Sequence, residues 1–282
     1  MITGVCRWVV VSAGRHLVVD AGADFGDRWP MLAGHVPATA CHPGIAGLPP
    51  PPSAVCGGQD WATRDLRRWL NAHLHCLHLR YETVTVHAVT VTRAGWAVAL
   101  LGGHGAGKSL VGLALAARGW QVAAGDLTLV QLRGPGAPVV AGGTSAYLVR
   151  ADALACFFPD LPLSSPTGDK IDCSGCLPVT GTYPLPLRDA VLVNVGGSGC
   201  AEEGLDTHTC ATVWYRATGH ALDRILAGVA HAEPLRLLES ADLVRRRLRL
   251  ACTLARWLPV RQLRGDPQAL AAAITGRAER AG

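Results

Sequence analysis

Leu100-Leu101-Gly102-Gly103-His104-Gly105-Ala106-Gly107-Lys108-Ser109 is the stretch on which the reading of this chain turns. Residues 102–109 satisfy the pattern G-x-x-x-x-G-K-[ST] at every position. The flanks agree with it. Residues 96–101 form a short, continuous apolar run, as a buried parallel strand does, and residues 109–118 read as a helix. The residue types suit phosphate. Gly102, Gly103, Gly105 and Gly107 let the backbone wrap closely, so that its N–H groups point inward at anionic oxygens. A helix opening near Lys108 adds the positive end of its dipole. Lys108 has the reach to meet β- and γ-phosphates, and the Ser109 hydroxyl can ligate Mg2+. Gly103, His104, Gly105, Ala106, Gly107, Lys108, Ser109 and Leu110 are therefore the candidate nucleotide-binding residues.

Working outward, residues 121–124 read as the next strand. That completes a strand–loop–helix–strand unit, which implies parallel strands joined by a right-handed crossover. Upstream, residues 83–92 alternate, with Val at 84, 86, 89 and 91, as one strand would. Residues 60–79 have helical spacing, with Trp61, Leu66, Trp69, Leu70, Leu74 and Leu77 on one face and Arg64, Arg67, Arg68 and Asn71 on the other. Residues 5–12 and 16–20 read as two strands around a Gly turn. From 29 to 53 the pattern dissolves among Pro30, Pro37, Pro43 and the prolines at 49–52, which suggests an irregular connection. Downstream, residues 141–149 and 190–195 read as strands, 159–166 and 196–204 as loops, and 217–230 as a helix. Residues 240–258 make a stronger amphipathic helix with Leu243, Val244, Leu248, Ala251, Leu254 and Leu258 as its stripe. A last strand at 259–263 and a helix at 267–274, with Pro267 in its first turn, close the chain. The division expected is a small β-rich appendage with its Pro-rich connection at residues 1–58 and a main domain at 59–282.

Bulk composition narrows the function. With 49% apolar and 17% charged residues over 282 positions, the chain can bury a sizeable core and is not intrinsically disordered. A net charge of +5 is mild and argues against a nucleic-acid coat, as do eight scattered tryptophans that form no stacking platform. No apolar run reaches the ~18–20 residues that span a bilayer. Residues 1–14 lack the basic and apolar regions of a signal peptide. A cytoplasmic protein with no membrane or nucleic-acid partner is expected, its ten irregularly spaced cysteines reduced and mostly buried. Of 26 basic residues only Lys108 and Lys170 are lysines. A GC-rich genome accounts for the arginine excess but not for where the two lysines fall.

Further segments carry a family resemblance: Val86-His87-Ala88 ahead of the glycine loop, Ala117-Arg118-Gly119-Trp120 behind it, and Gly125-Asp126-Leu127-Thr128-Leu129-Val130 after that. In order and spacing these resemble the HPr kinase/phosphorylase-like P-loop kinases, and Pro259-Val260-Arg261-Gln262-Leu263-Arg264-Gly265 resembles that group's last strand. The likeness is strong over residues 60–135, weaker to the C-terminus and absent over the first 55. The group includes kinases that phosphorylate a serine on a protein or a ribosomally made peptide, lasso-peptide precursors among them. The resemblance implies an α/β P-loop kinase of HPr-kinase/PEP-carboxykinase-like architecture, with a mixed sheet flanked by helices. It implies ATP and Mg2+ as cofactors, a Ser or Thr hydroxyl of a peptide or small protein as acceptor, and a tendency to homo-oligomers. It also implies roles: Lys108 and Ser109 hold triphosphate and metal, Asp126 lies by the γ-phosphate as second metal ligand or proton acceptor, and His87 orients Asp126. The group usually has two adjacent acids where this chain has Gly125-Asp126, so a single carboxylate must serve either role or both. Two other readings stand beside the peptide kinase. One is a kinase for a free hydroxy amino acid or other small metabolite; the other is a nucleotide-binding accessory protein with degenerate chemistry.

The second lysine lies in Thr167-Gly168-Asp169-Lys170-Ile171-Asp172. By the resemblance Lys170 faces nucleotide or acceptor and Asp169 or Asp172 is an extra acid; read alone, the segment is a solvated turn. Gly142-Gly143-Thr144-Ser145 is either a plain loop or part of the acceptor site. Cys173-x-x-Cys176, with no second such pair, reads as structural thiols. His73, His75 and His78 read as helix histidines beside a core stripe, and Arg245-Arg246-Arg247 with Arg249 as a solvated helix face.

Overall fold

The computed structural model describes residues 5–44, 55–56, 61–134, 137–161, 169–226 and 233–281. The first strands, β1 (Val5–Ser12) and β2 (Arg15–Gly22), form a hairpin whose turn holds Ala13 and Gly14 at φ 47° and 71°. Helix α1 (Phe25–Ala33) follows, where the sequence suggests only an irregular connection. Pro30 lies inside it and breaks the usual signature, yet burial of Phe25 and Leu32 holds the helix against its neighbours. Strands β3 (Ala40–Pro43) and β4 (Val55–Cys56) complete a small sheet of order β3-β1-β2-β4. Its inner residues Val10, Leu17 and Val19 share one buried cluster with Leu66, Trp69, Leu70 and Leu74 of α2 (Thr63–Leu79). The prolines at 49–52 lie outside the described residues.

Next come β5 (Thr83–His87), β6 (Val89–Arg93), β7 (Trp96–Leu101), α3 (Lys108–Ala116), β8 (Gln121–Ala124), β9 (Leu127–Gln131) and β10 (Val139–Gly143). They are followed by β11 (Leu148–Arg150), α4 (Ala151–Phe157), β12 (Lys170–Asp172), β13 (Leu185–Val195), β14 (Cys200–Gly204) and α5 (Thr207–Gly219). The chain ends with β15 (Ile225–Leu226), β16 (Glu233–Pro234), α6 (Ala241–Trp257), β17 (Val260–Gly265) and α7 (Pro267–Ala281). The large sheet is mixed and runs β5-β9-β10-β13-β7-β6-β8, with β17 on β13 and β14 on β17. β13 is parallel to β7 and to β17, while β6 is antiparallel to both β7 and β8. β7 and β8 therefore run the same way with β6 between them, and α3 crosses over that strand. Alternate residues of β7 feed opposite faces. Ala97, Ala99 and Leu101 pack with α2, α5 and α6, and Val98 and Leu100 with α3 and α7.

Several sequence expectations change. Residues 83–92 are two strands, because the chain leaves β9 at Ala88 and joins β7 and β8 instead. Residues 141–149 divide between β10 and β11, and 196–204 contains β14, paired to β17. The helix expected over 217–230 is mostly upstream. α5 starts at Thr207, where the Asp206 carboxylate accepts from the His208 and Thr209 amides, and residues 227–230 lie outside the described set. On α6, Ser240 caps the N-terminus, its hydroxyl accepting from the Leu243 amide, but Leu248 of the expected stripe is 49% exposed while Arg247 is 1% exposed. Helical spacing from Leu243 reaches 247, 250, 251 and 254, so Arg247 takes a core position because a buried acid meets it there. Of the ten cysteines, Cys76, Cys173 and Cys210 are buried, while Cys56, Cys156, Cys176 and Cys200 are exposed. Among the described residues no helix is long and apolar enough to cross a membrane.

Candidate active site

The glycine loop joins β7 to α3 and is built as its composition requires. Gly102, Gly105 and Gly107 have φ of 150°, 81° and 89°. A Cβ at Gly107 would sit 2.3 Å from the Val195 side chain, so the left-handed turn and the close strand both demand glycine. Nothing lies within 4 Å of a Cβ at Gly103 or Gly105, which leaves that side of the loop open. Lys108 opens α3 and is 8% exposed. Its Nζ donates to the carbonyls of Gly102 at 2.9 Å and Gly103 at 3.1 Å. Burial pushes the amine down to about 8, with Lys170 adding to the effect and Asp126 opposing it. Ser109 Oγ donates to the Leu148 carbonyl at 3.2 Å, and Tyr147 ties down the same turn through the Ser109 carbonyl at 2.7 Å.

The break between β5 and β6 builds the second half of the site. His87 is the last residue of β5 and pairs with Leu127, while the Ala88 amide donates to the Asp126 carbonyl at 3.0 Å. His87 Nε2 consequently lies 3.3 Å from Asp126 Oδ1. Thr144 fixes the Asp126 backbone, its hydroxyl accepting from the amides of Asp126 at 3.1 Å and Leu127 at 2.9 Å. The Asp126 side chain is 59% exposed but opens into a crevice ringed by protein. Burial pushes its carboxyl up, but His87 outweighs that, Lys108 adds to the pull, and the group is held at about 2. The neighbouring position is closed to a second acid: a Cβ at Gly125 would lie 2.1 Å from the Ala146 carbonyl oxygen.

These pieces face one cavity of about 290 Å3. Its walls include the loop from His104 to Leu110, His87, Asp126, Thr144 and Lys170. Gly103 contributes through its carbonyl to Lys108 rather than through the cavity wall. Asp169 and Asp172 are not on the wall; the Asp172 carboxylate instead accepts from the Ser174 amide at 2.9 Å and the Tyr147 amide at 3.3 Å. The Ser109 hydroxyl and the Asp126 carboxylate are hard oxygen donors, a set that suits Mg2+. No group of three His, Cys, Asp or Glu able to hold a metal occurs among the described residues.

The cavity also contains residues that sequence reasoning missed: His35, Arg67, Arg68, Asn71, His220 and Arg224. His220 stacks on His87 with ring centroids 3.7 Å apart and planes 14° from parallel. Burial, with His87 adding, pushes it down to about 3, so at neutral pH a neutral ring braces His87. Only the polar face of α2 hinted at this wall in the sequence, and there it read as an ordinary outer face. His220 and Arg224 come from a 3-10 turn and the residues after it, which carry no motif. Behind the wall the buried Asp65 pairs with Arg68 at 3.1 Å, and the exposed Asp152 pairs with Arg150 at 2.6 Å.

No family model matches the sequence, and no curated protein matches it. Among solved structures, the Hpr(Ser) kinase/phosphatase from Coxiella burnetii is similar at a TM-score of 0.32 and 10% sequence identity, over 70% of this chain and 91% of that one. A likeness that slight carries no weight for the site, whose reading rests on its own residues.

Proposed function

We propose that the protein is an ATP- and Mg2+-dependent kinase of HPr-kinase/PEP-carboxykinase-like architecture, transferring the γ-phosphate to a Ser or Thr hydroxyl of a peptide or small protein in the cytoplasm. In this reading residues 59–282 are the kinase and residues 1–58 its appendage. The observation that supports it is the meeting, in one cavity, of an open Gly-rich loop with its buried Lys108 and of the Asp126–His87 pair. Bound there, Mg2+ and the nucleotide supply the transferable phosphoryl group and neutralise its charge. The chain's residues do the rest. The loop amides and the start of α3 hold phosphate oxygens, and Lys108 exchanges its two loop carbonyls for them. A carboxylate held at about 2 is a weak proton acceptor but a strong cation partner. Asp126 therefore serves first as metal ligand and takes the hydroxyl proton late, while Thr144 and His87 fix its position.

One observation favours the accessory-protein reading: the backbone leaves no room for a second acid at Gly125. Incubation with Mg2+, γ-labelled ATP and Ser- or Thr-containing peptides separates the two. The kinase reading expects label on the acceptor and a loss of about 10²–10⁴-fold in Asp126→Asn. Transfer undiminished in Asp126→Asn would remove the catalytic assignment, and tight ATP binding with no transfer would favour the accessory protein.

A further inference from the structure

One wall of the cavity carries charge that the phosphate loop does not use. Arg67 and Asn71 project from α2, and Arg224 from beyond the 3-10 turn at 220–222. Six Arg or Lys side chains line the cavity; Arg68 and Arg150 are paired with Asp65 and Asp152, which leaves four beside the Asp126 carboxylate. Arg67 has neither hydrogen bond nor ion pair among the described residues, and the Arg224 guanidinium meets only His220 Nε2, at 3.4 Å. Arg67 is half-buried and Arg224 exposed, whereas the buried guanidinium groups among the described residues meet carboxylates. Arg247 pairs with Glu239 at 2.7 Å and Arg261 with Asp189 at 2.7 Å. Burial, with Arg68, Arg224 and Arg64 adding, pushes the Arg67 guanidinium down, and Asp126 alone opposes this. Such crowding is unfavourable unless an anion joins it.

Asn71 lies on the same wall. Its Nδ2 donates to the His35 carbonyl at 3.2 Å, which ties the wall to the segment after α1, while its Oδ1 is sealed from the cavity. The wall thus offers cationic forks for a carboxylate.

We infer that Arg67 and Arg224 form the acceptor subsite, and that the acceptor carries a carboxylate beside its reactive hydroxyl. An acidic peptide fits best, because it can set one carboxylate on each arginine with the hydroxyl between them. The inference rests on the kinase reading for its name as an acceptor site; the anion subsite itself rests on the wall. In this reading the phosphates lie with the loop, Lys108 and Lys170, and the single carboxylate Asp126 acts on both Lys108 and Arg67.

Calorimetric titration of the full chain tests it with four probes: MgATP, the blocked peptide Asp-Ser-Asp, its neutral isostere Asn-Ser-Asn, and L-malate. The acidic peptide should bind at least about tenfold more tightly than the neutral one. Arg67→Gln with Arg224→Gln should remove that preference and leave MgATP affinity within about twofold. Lys108→Ala should do the reverse. Arg67→Lys with Arg224→Lys should keep part of the preference, which separates lost charge from lost fold. Arg245→Gln with Arg249→Gln, on the outer face of α6, should change nothing and so exclude diffuse attraction. Malate binding as well as the acidic peptide keeps the hydroxy-carboxylate class and points to a small-molecule source. Equal binding of the two peptides and no malate binding, or equal weakening of peptide and MgATP by the Arg67/Arg224 pair, overturns the inference. Arginine-dependent peptide binding with no MgATP binding keeps the subsite and sinks the kinase reading.

Discussion

Helix α2 serves two polar regions, and they are built on opposite terms. On its inner side His75 lies in the core beside Glu239 and Arg247, and His78 is buried against Thr85. There each of the three Arg247 nitrogens has an acceptor, while both His75 ring nitrogens are buried without a hydrogen-bond partner. Nε and Nη2 of Arg247 donate to the two Glu239 carboxylate oxygens at 2.7 and 2.9 Å, and the other bonds go to the Tyr215 carbonyl and hydroxyl. On its outer side Arg67 faces the cavity with no partner among the described residues. A structural cluster closes its own charge, whereas the cavity holds cations open beside one carboxylate and the glycine loop. Crowded charge therefore marks a site only where the charges lack partners. By that criterion the α2–α6 cluster is scaffold and the cavity is a site.

The largest effect that can break this contrast is in the core. Arg247→Met strands Glu239 and should cost about 3–5 kcal/mol by denaturant unfolding, while Glu239→Gln should cost less but remain destabilising. Burial pushes the Glu239 carboxyl up, but His75 and Arg247 outweigh it and hold it at about 2. Its stabilisation is thus complete above the unfolded value near ~4.3 and is lost as pH falls toward 2. A pH-independent Arg247→Met penalty across that window would contradict the pairing.

An intermediate effect belongs to the loop. Lys108 is held at about 8 in the free protein, and phosphate oxygens would raise it. Because the bound form holds the proton more firmly, MgATP affinity is complete below pH 8 and falls as pH rises above it, by up to about tenfold per unit until the bound amine itself titrates. Titrations in two buffers of different ionisation enthalpy should show proton uptake near pH 8.5. Affinity unchanged from pH 7 to 9.5 would remove Lys108 from phosphate.

The smallest effect is the mirror of the first. Arg67→Met deletes an unpartnered cation among like charges and should be neutral or stabilising by up to about 1 kcal/mol. A loss comparable to that of Arg247→Met would erase the distinction between the two regions.

What the sequence made legible follows from how local each signal is. The glycine loop, β7 and α3 are continuous in the chain and defined by residue type, so the pattern places them and the structure agrees. Asp126 and His87 were available only through a family likeness. Their meeting at 3.3 Å depends on the jump of the chain from β9 to β7 at Ala88, which an unbroken Val alternation conceals. Helix α1 was hidden by Pro30, and the α6 stripe was misplaced because Arg247 occupies a core position that only Glu239, eight residues away, makes tolerable. Arg67 looked like any arginine on a polar helix face, and His220 and Arg224 lie in irregular chain. Their importance is tertiary, so no spacing rule could single them out. The pair of lysines proved more telling: both Lys108 and Lys170 line the cavity.

The most direct measurement is the equilibrium binding of MgATP to the intact chain and to Lys108→Ala, with unfolding curves for both. The account predicts saturable binding by the native protein, a loss of about 100-fold or roughly 3 kcal/mol in the variant, and superimposable unfolding curves. Equal affinity in the two proteins, or no binding by either, would contradict it.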